Sequence, residues 1–443
     1  MNQKIAIIAD NSRKYVEKLL NIWGDKNCAV LIDWRIPWEK IEEMLELADV
    51  KFCYVDRHIS DNMQNTKFKY EIIEHENSIE TVEKDYYKSY VPNYSTEDAL
   101  ILFSSGTTGT AKGIVLSFRA LEINSNMVIE YMNLNKTDSI YLIKSLAHSS
   151  TVVCELLVAI KMQMQIYVAP TIMPMRFTIN NIINYKITVI CMNPILLSLF
   201  CNYIEKKGIY IECLKTIYTS GSILPDELRN KAIRLLKNTS LCNVYGLTEC
   251  GPRVSAQTPD RRWNSNSNGN ALSGVKIKIK DKNGNKLKNS LLGVIWINTP
   301  ALFTRYLNAD KKLDEDGFFC TNDIGYLEND ELYIVGRSDN MIISGAHNIY
   351  PETIEKVINN VPGIEFNVII SVKDETYGEK LVCLYRANKE MEIELKQACM
   401  SQVATYEVPH IFIKVESLPR NNNGKILRNI VKQQYLEMIG KNV

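Results

Sequence analysis

Short apolar runs alternate with helical patterns at the start of the chain. The runs at 5–9, 29–32 and 52–55 are each short enough to predict a buried strand. Between them, apolar residues at helical spacing predict two helices, one beyond residue 12 and one over 41–47. Strands that alternate with helices favour a mostly parallel sheet with helices on its faces.

Residues 60–98 interrupt this alternation. They are polar, with many Lys, Glu and Asn residues, and we expect them to form a surface excursion. Apolar runs resume at 99–103 and continue at 166–169, 187–192 and 217–218, with helical stretches between them. The α/β pattern therefore extends well into the second half of the chain.

Hairpin signals replace the helical ones near residue 260. The segments 275–280 and 294–298 alternate between apolar and polar residues, and the turn pair Asn283-Gly284 lies between them. A second hairpin-like region spans 318–335. The pattern predicts an all-β segment appended to the α/β body.

The last hundred residues predict a small mixed unit. Residues 351–359 read as a helix with proline in its first turn, where the missing N–H costs nothing. Strands are predicted at 368–372 and 382–385, and a further helix at 393–403.

Composition and charge exclude several classes of protein. The 443 residues suffice for about three compact units. Lys and Arg number 52 against 51 Asp and Glu, which argues against a nucleic-acid or polybasic membrane-surface binder. No apolar stretch is long enough to span a membrane, and the first residues do not resemble a signal peptide. With 11 scattered cysteines, we expect reduced thiols and a cytoplasmic location.

A glycine-rich stretch at 104–113 carries the sharpest local signal for chemistry. It follows an apolar strand, and its glycines allow a tight turn whose N–H groups converge. Hydroxyl side chains and one lysine suit a polyphosphate, although the spacing is not that of a Walker loop. Taken alone, the stretch could also be a flexible turn. The residues assigned to phosphate binding are Ser104, Ser105, Gly106, Thr107, Thr108, Gly109 and Lys112.

Five more motifs follow this stretch along the chain. They include Y-G-L-T-E, T-N-D-I-G, G-R-S-D-N and a terminal G-K-I-L-R. The motifs lie at 243–249, 321–325, 336–340, 342–352 and 419–428. In this order they resemble those of the adenylate-forming superfamily, which includes acyl- and aryl-CoA ligases and peptide-synthetase adenylation domains.

The resemblance implies an α/β fold in two domains. Residues 1–338 would form a large N-terminal AMP-binding domain of stacked mixed sheets with helices, with a β-rich subdomain at about 260–338. Residues 339–443 would form a small mobile α+β domain that carries the catalytic lysine. Compared with the family pattern, the N-terminal subdomain is expected to be shortened, and a partner could compensate for it.

By the same resemblance, the motif residues acquire roles in nucleotide chemistry. Glu249 would bind Mg²⁺, a hard ion that prefers oxygen ligands, and Thr248 would contact the α-phosphate of ATP. Tyr245 would offer its ring to adenine, and Asp323 and Arg337 would bind the ribose. The remaining residues assigned to nucleotide binding are Gly221, Ser222, Asn243 and Gly246.

Four further positions complete the expected catalytic machinery. Lys425, in a polar loop, would neutralise the carboxylate and the α-phosphate together, and Lys112 would assist. His148 matches a position beside the substrate carboxylate in CoA ligases. Rotation at Asp339 would exchange Lys425 for the segment around Gly345, which leaves room for a pantetheine arm.

Five residues depart from the family pattern, and two of them, Phe118 and Arg119, stand where the family usually has Ser-His after the loop. Ala111 replaces a proline before the loop lysine, and Asn340 replaces a second acid after the hinge. Asn322 replaces the glycine of T-G-D, which makes the local turn uncertain while leaving Asp323 in place.

These residues predict an ATP-dependent enzyme that forms an acyl-AMP and transfers the acyl group to a thiol. CoA is the favoured acceptor, and a carrier-protein phosphopantetheine acting in trans is the alternative. A non-catalytic nucleotide-binding relative is a third possibility. We expect a non-amino acyl or aryl acid, because Glu155 does not match the acid that binds an α-amine. Arg253 would indicate a second substrate carboxylate if it faced inward, but a surface position is favoured.

Overall fold

The computed structural model describes most of the chain, with its strands distributed over two large and two small sheets. The described residues are 3–64, 66–74, 76, 78–105, 111–171, 173–260, 263, 266–344, 347–374, 378–421 and 424–440. The strands are β1 (Lys4–Ile8), β2 (Cys28–Leu31), β3 (Phe52–Asp56), β4 (Lys69–Ile73), β5 (Glu80–Val82), β6 (Asp98–Ser105), β7 (Ala111–Ser117), β8 (Ser139–Leu142), β9 (Gln165–Val168), β10 (Val189–Met192), β11 (Thr216–Thr219), β12 (Ser240–Tyr245), β13 (Ser255–Ala256), β14 (Asn270–Ala271), β15 (Lys276–Lys280), β16 (Gly293–Asn298), β17 (Arg305–Tyr306), β18 (Phe319–Glu328), β19 (Glu331–Arg337), β20 (Ile342–Ser344), β21 (His347–Ile349), β22 (Ile364–Asp374), β23 (Gly378–Ala387) and β24 (Ile411–Lys414).

The helices alternate with strands in the first half of the chain, as the sequence pattern predicts. They are α1 (Arg13–Gly24), α2 (Trp38–Leu47), α3 (Arg57–Met63), α4 (Phe118–Met132), α5 (Ser149–Thr151), α6 (Leu157–Lys161), α7 (Met175–Asn184), α8 (Pro194–Lys207), α9 (Asp226–Leu235), α10 (Pro351–Asn359), α11 (Glu392–Gln402) and α12 (Arg428–Gly440). A π-helical turn, Val152–Leu156, joins α5 to α6, so residues 149–161 form one helical segment.

The first large sheet has the strand order β17-β7-β6-β2-β1-β3-β4. Its five strands from β6 to β4 run parallel, which confirms the parallel sheet expected from the β-α-β-α-β pattern. Side chains alternate between its faces: Ile7 packs into the main core, while Ala6 and Ile8 pack beneath α2 and α3.

The second large sheet has the order β15-β16-β18-β19-β14-β13-β12-β11-β10-β8-β9-β5. The strands β9, β8, β10, β11 and β12 are parallel, and the predicted hairpins β15–β16 and β18–β19 are confirmed as antiparallel pairs. Residues of both sheets, with α1 and α4, share one apolar core. The sheets are therefore stacked, and the β-rich segment continues the second sheet through β13 and β14.

The expectation of a surface excursion at 60–98 is wrong for much of that segment. The segment has few apolar residues, but some of them lie on the inner faces of strands. Strand β4 therefore extends the first sheet, and β5 extends the second. Ile73 and Val82 are buried in the main core. Tyr87 is fully buried, and its hydroxyl donates a 2.7 Å hydrogen bond to the carbonyl of Met164.

The C-terminal unit has two small cores on either side of the sheet β22-β23-β24. The helices α10 and α11 pack on one face, and α12 covers the other. The helix predicted at 351–359 is confirmed as α10, with proline in its first turn. Among the described residues, no helix is long and apolar enough to cross a membrane.

Tyr87→Phe tests whether the segment before β6 is integral to the fold. Loss of the hydroxyl leaves the buried Met164 carbonyl without its donor, which costs about 1–2 kcal/mol. Urea unfolding should therefore show a lower midpoint at unchanged slope. Tyr86→Phe, at the exposed neighbouring ring, is the control and should change the midpoint little. Equal midpoints for Tyr87→Phe and the unmodified protein would contradict an integral role.

Candidate active site

Strands β6 and β7 hold the two ends of the glycine-rich stretch. They pair antiparallel, with Ser104 opposite Lys112 and Ser105 opposite Ala111. The helix predicted near Ser117 is confirmed as α4, and the Ser117 hydroxyl caps it by accepting from the Ala120 N–H. The predicted phosphate-binding residues Gly106, Thr107, Thr108 and Gly109, and the side chains of Ser104 and Ser105, lie outside the described residues.

Glu249 lies in a 3₁₀ turn, Thr248–Cys250, just beyond β12. Its Oε1 accepts a 2.9 Å hydrogen bond from the hydroxyl of Tyr306 on β17. Burial raises the pKa of the Glu249 carboxyl, and the bond from Tyr306 opposes that rise. The Lys112 ammonium lies 5.7 Å from the centre of the Tyr306 ring. Tyr306 therefore links the predicted metal ligand to the predicted phosphate lysine, a role that no sequence motif indicated.

Thr248 contacts the start of a helical segment from another part of the chain. Its Oγ1 and the Oγ of Ser149 are 2.8 Å apart. His148, half-buried, immediately precedes Ser149 at the start of that segment. Burial raises the pKa of the Asp33 carboxyl, but hydrogen bonds and charge from Arg35 outweigh burial and lower it. The charge of His148 adds to this lowering. His148 is thus next in sequence to the residue that contacts Thr248 and within electrostatic reach of Asp33.

Asp323 is held by two of the predicted nucleotide-binding residues. Its Oδ2 accepts a 2.5 Å hydrogen bond from the Tyr245 hydroxyl, and its Oδ1 accepts a 2.7 Å bond from Arg337. Burial raises the pKa of Asp323, although the charge of Arg337 and the bond from Tyr245 oppose it. Tyr245 is buried and orients the carboxylate, a contact that the sequence analysis did not foresee.

Asn322 stands where the family pattern has a glycine, and its backbone adopts a conformation that suits glycine. Its φ is +60°, in the left-handed region that glycine adopts freely and that asparagine tolerates best among other residues. Asn322 lies within β18, at an irregularity in its pairing with β16, and this position keeps a left-handed residue despite the substitution.

The other predicted nucleotide-binding residues lie at the carboxyl ends of parallel strands. Gly221, with φ of +97°, and the exposed Ser222 follow β11. Asn243 lies on β12, where its amide donates to the carbonyl of Ser267 at 3.1 Å. A Cβ at Gly246 would lie 1.7 Å from the carbonyl oxygen of Pro252, so only glycine fits. Such sheet edges are where open α/β sheets bind ligands.

Lys425 stands on a tight hairpin closed by the bridge between Arg420 and Ile426. Its side chain is accessible to solvent, yet desolvation and then the positive charge of Arg337 lower its pKa. Asp323 opposes that shift, so the ammonium lies within electrostatic reach of Asp323 and Arg337, the residues predicted to bind ribose. Gly345 lies outside the described residues.

Two contacts fix the C-terminal unit against the rest of the chain in this arrangement. Lys356 on α10 forms a 2.7 Å ion pair with Asp226 on α9. Gly424, with φ of +78°, approaches Ile195 so closely that a Cβ would lie 2.6 Å from the Ile195 side chain. Beside the predicted hinge, Asp339 accepts a 3.1 Å bond from Arg337.

Arg253 is not at the surface, which overturns the position favoured from its sequence. It is 3% exposed, and its guanidinium lies within hydrogen-bonding reach of the Cys154 thiol. Glu155 is also fully buried, and its Oε1 lies 2.7 Å from the Lys144 ammonium. The buried position arises because Asn124 on α4 accepts from the Arg253 N–H and donates to its carbonyl.

Family models match most of the chain. The model for AMP-binding enzymes matches residues 1–307, and the model for the AMP-binding enzyme C-terminal domain matches residues 353–425. The chain belongs to the AMP-binding enzyme family. The C-terminal match places Lys425 at the end of the second domain model.

Curated relatives of this family member are CoA ligases. A long-chain-fatty-acid–CoA ligase of Mycobacterium tuberculosis is 26% identical over 78% of this chain and 69% of its own length. A 2-succinylbenzoate–CoA ligase of Bacillus licheniformis is 28% identical over 75% of this chain and 69% of its own length. Among solved structures, o-succinylbenzoate CoA synthetase from Bacillus subtilis, in complex with an acyl-adenylate, superposes with a TM-score of 0.84 at 21% identity. That match covers 97% of this chain and 88% of the other, and it shows the adenylating-enzyme fold.

The donor set fits a magnesium ion that is held largely by its substrate. No group of three or more His, Cys, Asp or Glu side chains in the described part of the chain could hold a metal. Mg²⁺ in nucleotide enzymes commonly uses one or two carboxylates and completes its shell with phosphates and water. Glu249, a half-buried carboxylate that accepts from Tyr306, is suited to that single-carboxylate arrangement, and the Lys112 ammonium lies on the ring of the same tyrosine.

Substitution of Asn322 tests whether its left-handed backbone positions Asp323. Asn322→Gly should leave the KM for ATP within about twofold, because glycine accepts positive φ without strain. Asn322→Val should raise that KM and destabilise the protein by about 1–2 kcal/mol, because a branched side chain resists the left-handed region. The measurements are initial rates against ATP and urea unfolding. Similar KM values for the glycine and valine variants would contradict the prediction.

Proposed function

We propose that the protein activates a carboxylic acid with ATP, releases pyrophosphate, and transfers the acyl group from the resulting acyl-AMP to the thiol of CoA. One observation carries the proposal: Lys425, from the C-terminal unit, lies within electrostatic reach of the Asp323–Arg337 pair. A mobile cation brought to a nucleotide site is what joining two anions requires.

In the first half-reaction, a carboxylate oxygen of the acid attacks the α-phosphorus of ATP. A new P–O bond forms, the bond to the bridging oxygen breaks, and pyrophosphate leaves. Asp323 would accept hydrogen bonds from the ribose hydroxyls, and Thr248 would donate to the α-phosphate. Lys425 would offset the charge that grows on the phosphoryl oxygens, while Lys112 would face the departing phosphates.

Glu249 would hold the Mg²⁺ that accompanies ATP. The ion would neutralise phosphate charge, and the hydrogen bond from Tyr306 would keep the carboxylate oriented toward the nucleotide. Burial favours the protonated form of Glu249, so a nearby cation also helps it to stay ionised.

In the second half-reaction, a thiolate attacks the acyl carbonyl after the thiol loses its proton. A C–S bond forms, the bond from the acyl carbon to the phosphate oxygen breaks, and AMP leaves. The names of the relatives support CoA as the acceptor. Rotation about Asp339, with Gly345 giving room to the pantetheine arm, belongs to the proposal. A carrier-protein phosphopantetheine acting in trans is the alternative acceptor, because its thiol arm is chemically the same.

Retention of the catalytic constellation argues against a purely regulatory nucleotide binder. Such a protein needs the ribose contacts of Asp323 and Arg337 but has no use for Lys425 or Glu249. The relatives are named for a long-chain fatty acid and for 2-succinylbenzoate, so their names do not specify one acid. Glu155 pairs with Lys144, which supports a substrate without an α-amine.

Lys425→Ala separates the two half-reactions. Carboxylate-dependent exchange of pyrophosphate into ATP should fall by about 100-fold or more, because charge stabilisation at the α-phosphate is lost. Thioester formation from supplied acyl-AMP and CoA should persist. Lys396→Ala, at an exposed lysine on α11, is the control and should retain both activities. Near-normal exchange by the Lys425 variant would refute the role of Lys425. Thioester formation with a holo carrier protein but not with CoA would transfer the assignment to the alternative acceptor.

The pH profile of the exchange reaction tests the charge of Lys425. Its lowered pKa means that the ammonium deprotonates at a lower pH than a free lysine, so activity should decline on the alkaline side below pH 10.5. Arginine keeps its charge throughout that range. Lys425→Arg, even at a reduced rate, should therefore show its alkaline decline at higher pH. Coincident alkaline limbs for lysine and arginine would show that another group titrates.

A further inference from the structure

Three charged side chains lie close together in the interior, two of them eleven positions apart in the sequence and the third, Arg253, about a hundred positions later. Arg253 and Glu155 are 3% and 0% exposed, and the Lys144 side chain is 10% exposed. Lys144 pairs with Glu155 at 2.7 Å, and the charge of Arg253 also acts on Glu155. Charged groups are rarely buried together without a reason, because each loses its hydration.

The charges of this cluster do not balance. Lys144 stays protonated, because its pairing with Glu155 outweighs burial and raises its pKa. Arg253 is always charged, and no ion pair to it occurs among the described residues. One carboxylate therefore faces two cations, and at least one positive charge is left over.

Arg253 also has an unused donor. Its Nη1 is buried and has no hydrogen-bond partner within the described structure. Arg229 shows the contrast, because this other buried arginine donates to the carbonyl of Trp263 and has an ordinary structural contact. A buried guanidinium with a free N–H is suited to an anionic oxygen.

The cluster lies on the two segments that frame the adenylate site. Thr248 and Ser149 touch at 2.8 Å, and from this contact one segment leads to Arg253 and the other to Glu155. Glu155 is six positions beyond Ser149 in the helical segment, which is about 9 Å along the axis. An acid whose reacting carboxylate lies near Thr248 could extend its far end to Arg253.

We propose that Arg253, assisted by Lys144, binds a second carboxylate at the far end of the substrate, so that the enzyme activates dicarboxylic acids. This inference rests on the proposed function, since it names the class of acid that is activated. Asn124 is a positioning residue, because it holds the Arg253 backbone through both its oxygen and its amide. A bidentate carboxylate would supply the charge and the acceptor that the cluster lacks.

The direct test compares matched acids in ATP–pyrophosphate exchange. Straight-chain dicarboxylates from succinate to sebacate are each paired with the monocarboxylate of the same chain length. The best dicarboxylate should exceed its partner in kcat/KM by about 30-fold or more, as expected for a desolvated charge pair. Preference for the monocarboxylate at every length would overturn the inference while leaving the proposed function intact.

Variants of Arg253 show whether this residue makes the distinction. Arg253→Met should remove the advantage of the dicarboxylate and leave or improve the use of the monocarboxylate. Arg229→Met changes the matched buried arginine and should retain the preference for the dicarboxylate. Arg253→Lys keeps a charge but loses the planar donors, so its preference for the dicarboxylate should be intermediate. This variant replaces Arg253→Met in the test if the methionine variant does not fold.

Calorimetry with the best-binding dicarboxylate provides a readout that does not require turnover. The inference is supported if binding is lost in Arg253→Met or weakened in Arg253→Lys, and is kept in Arg229→Met. Unchanged binding in the Arg253 variants overturns it. Absence of exchange with every acid, alongside Arg253-dependent binding, would instead contradict the proposed function.

Discussion

The arrangement of the C-terminal unit depends on one electrostatic constraint: its Lys425 lies within electrostatic reach of a predicted nucleotide site that already contains Arg337. Desolvation, and then repulsion by the positive charge of Arg337, lower the pKa of Lys425. Asp323 offsets part of this cost, since it accepts from Arg337 and attracts Lys425. An anionic phosphate between the two cations would relieve the rest. The arrangement would therefore be more stable with substrate than without it, which suits the proposed movement of this domain for the second half-reaction.

Much of the fold could be predicted from hydrophobic pattern alone. The parallel strands β1 to β3, the hairpin β18–β19 and helix α10 are strong local patterns that tertiary packing reinforces. The segment 60–98 was misjudged because its buried residues are sparse. A strand such as β5 needs only Val82 on its inner face, and the partner strand β9, more than eighty residues later, supplies the rest.

The candidate site was predictable in its membership, because the motif residues Tyr245, Asp323 and Arg337 do meet, although the bond from Tyr245 to Asp323 was not foreseen. It was not predictable where a side chain acts through a non-local contact. Nothing local marks Tyr306 as the partner of Glu249, and Asn322 departs from the motif while keeping its left-handed backbone. Arg253 was placed wrongly because an isolated arginine is usually exposed. Its burial follows from Asn124, well over a hundred positions earlier in the chain.

The most direct measurement is a crystal structure with ATP and Mg²⁺. The account predicts ribose hydroxyls on Asp323, the metal on Glu249, and the α-phosphate within hydrogen-bonding distance of the Lys425 ammonium. A nucleotide whose phosphates lie away from Lys112 and Lys425, with the hairpin at 420–426 turned elsewhere in every state that carries ATP, would contradict it.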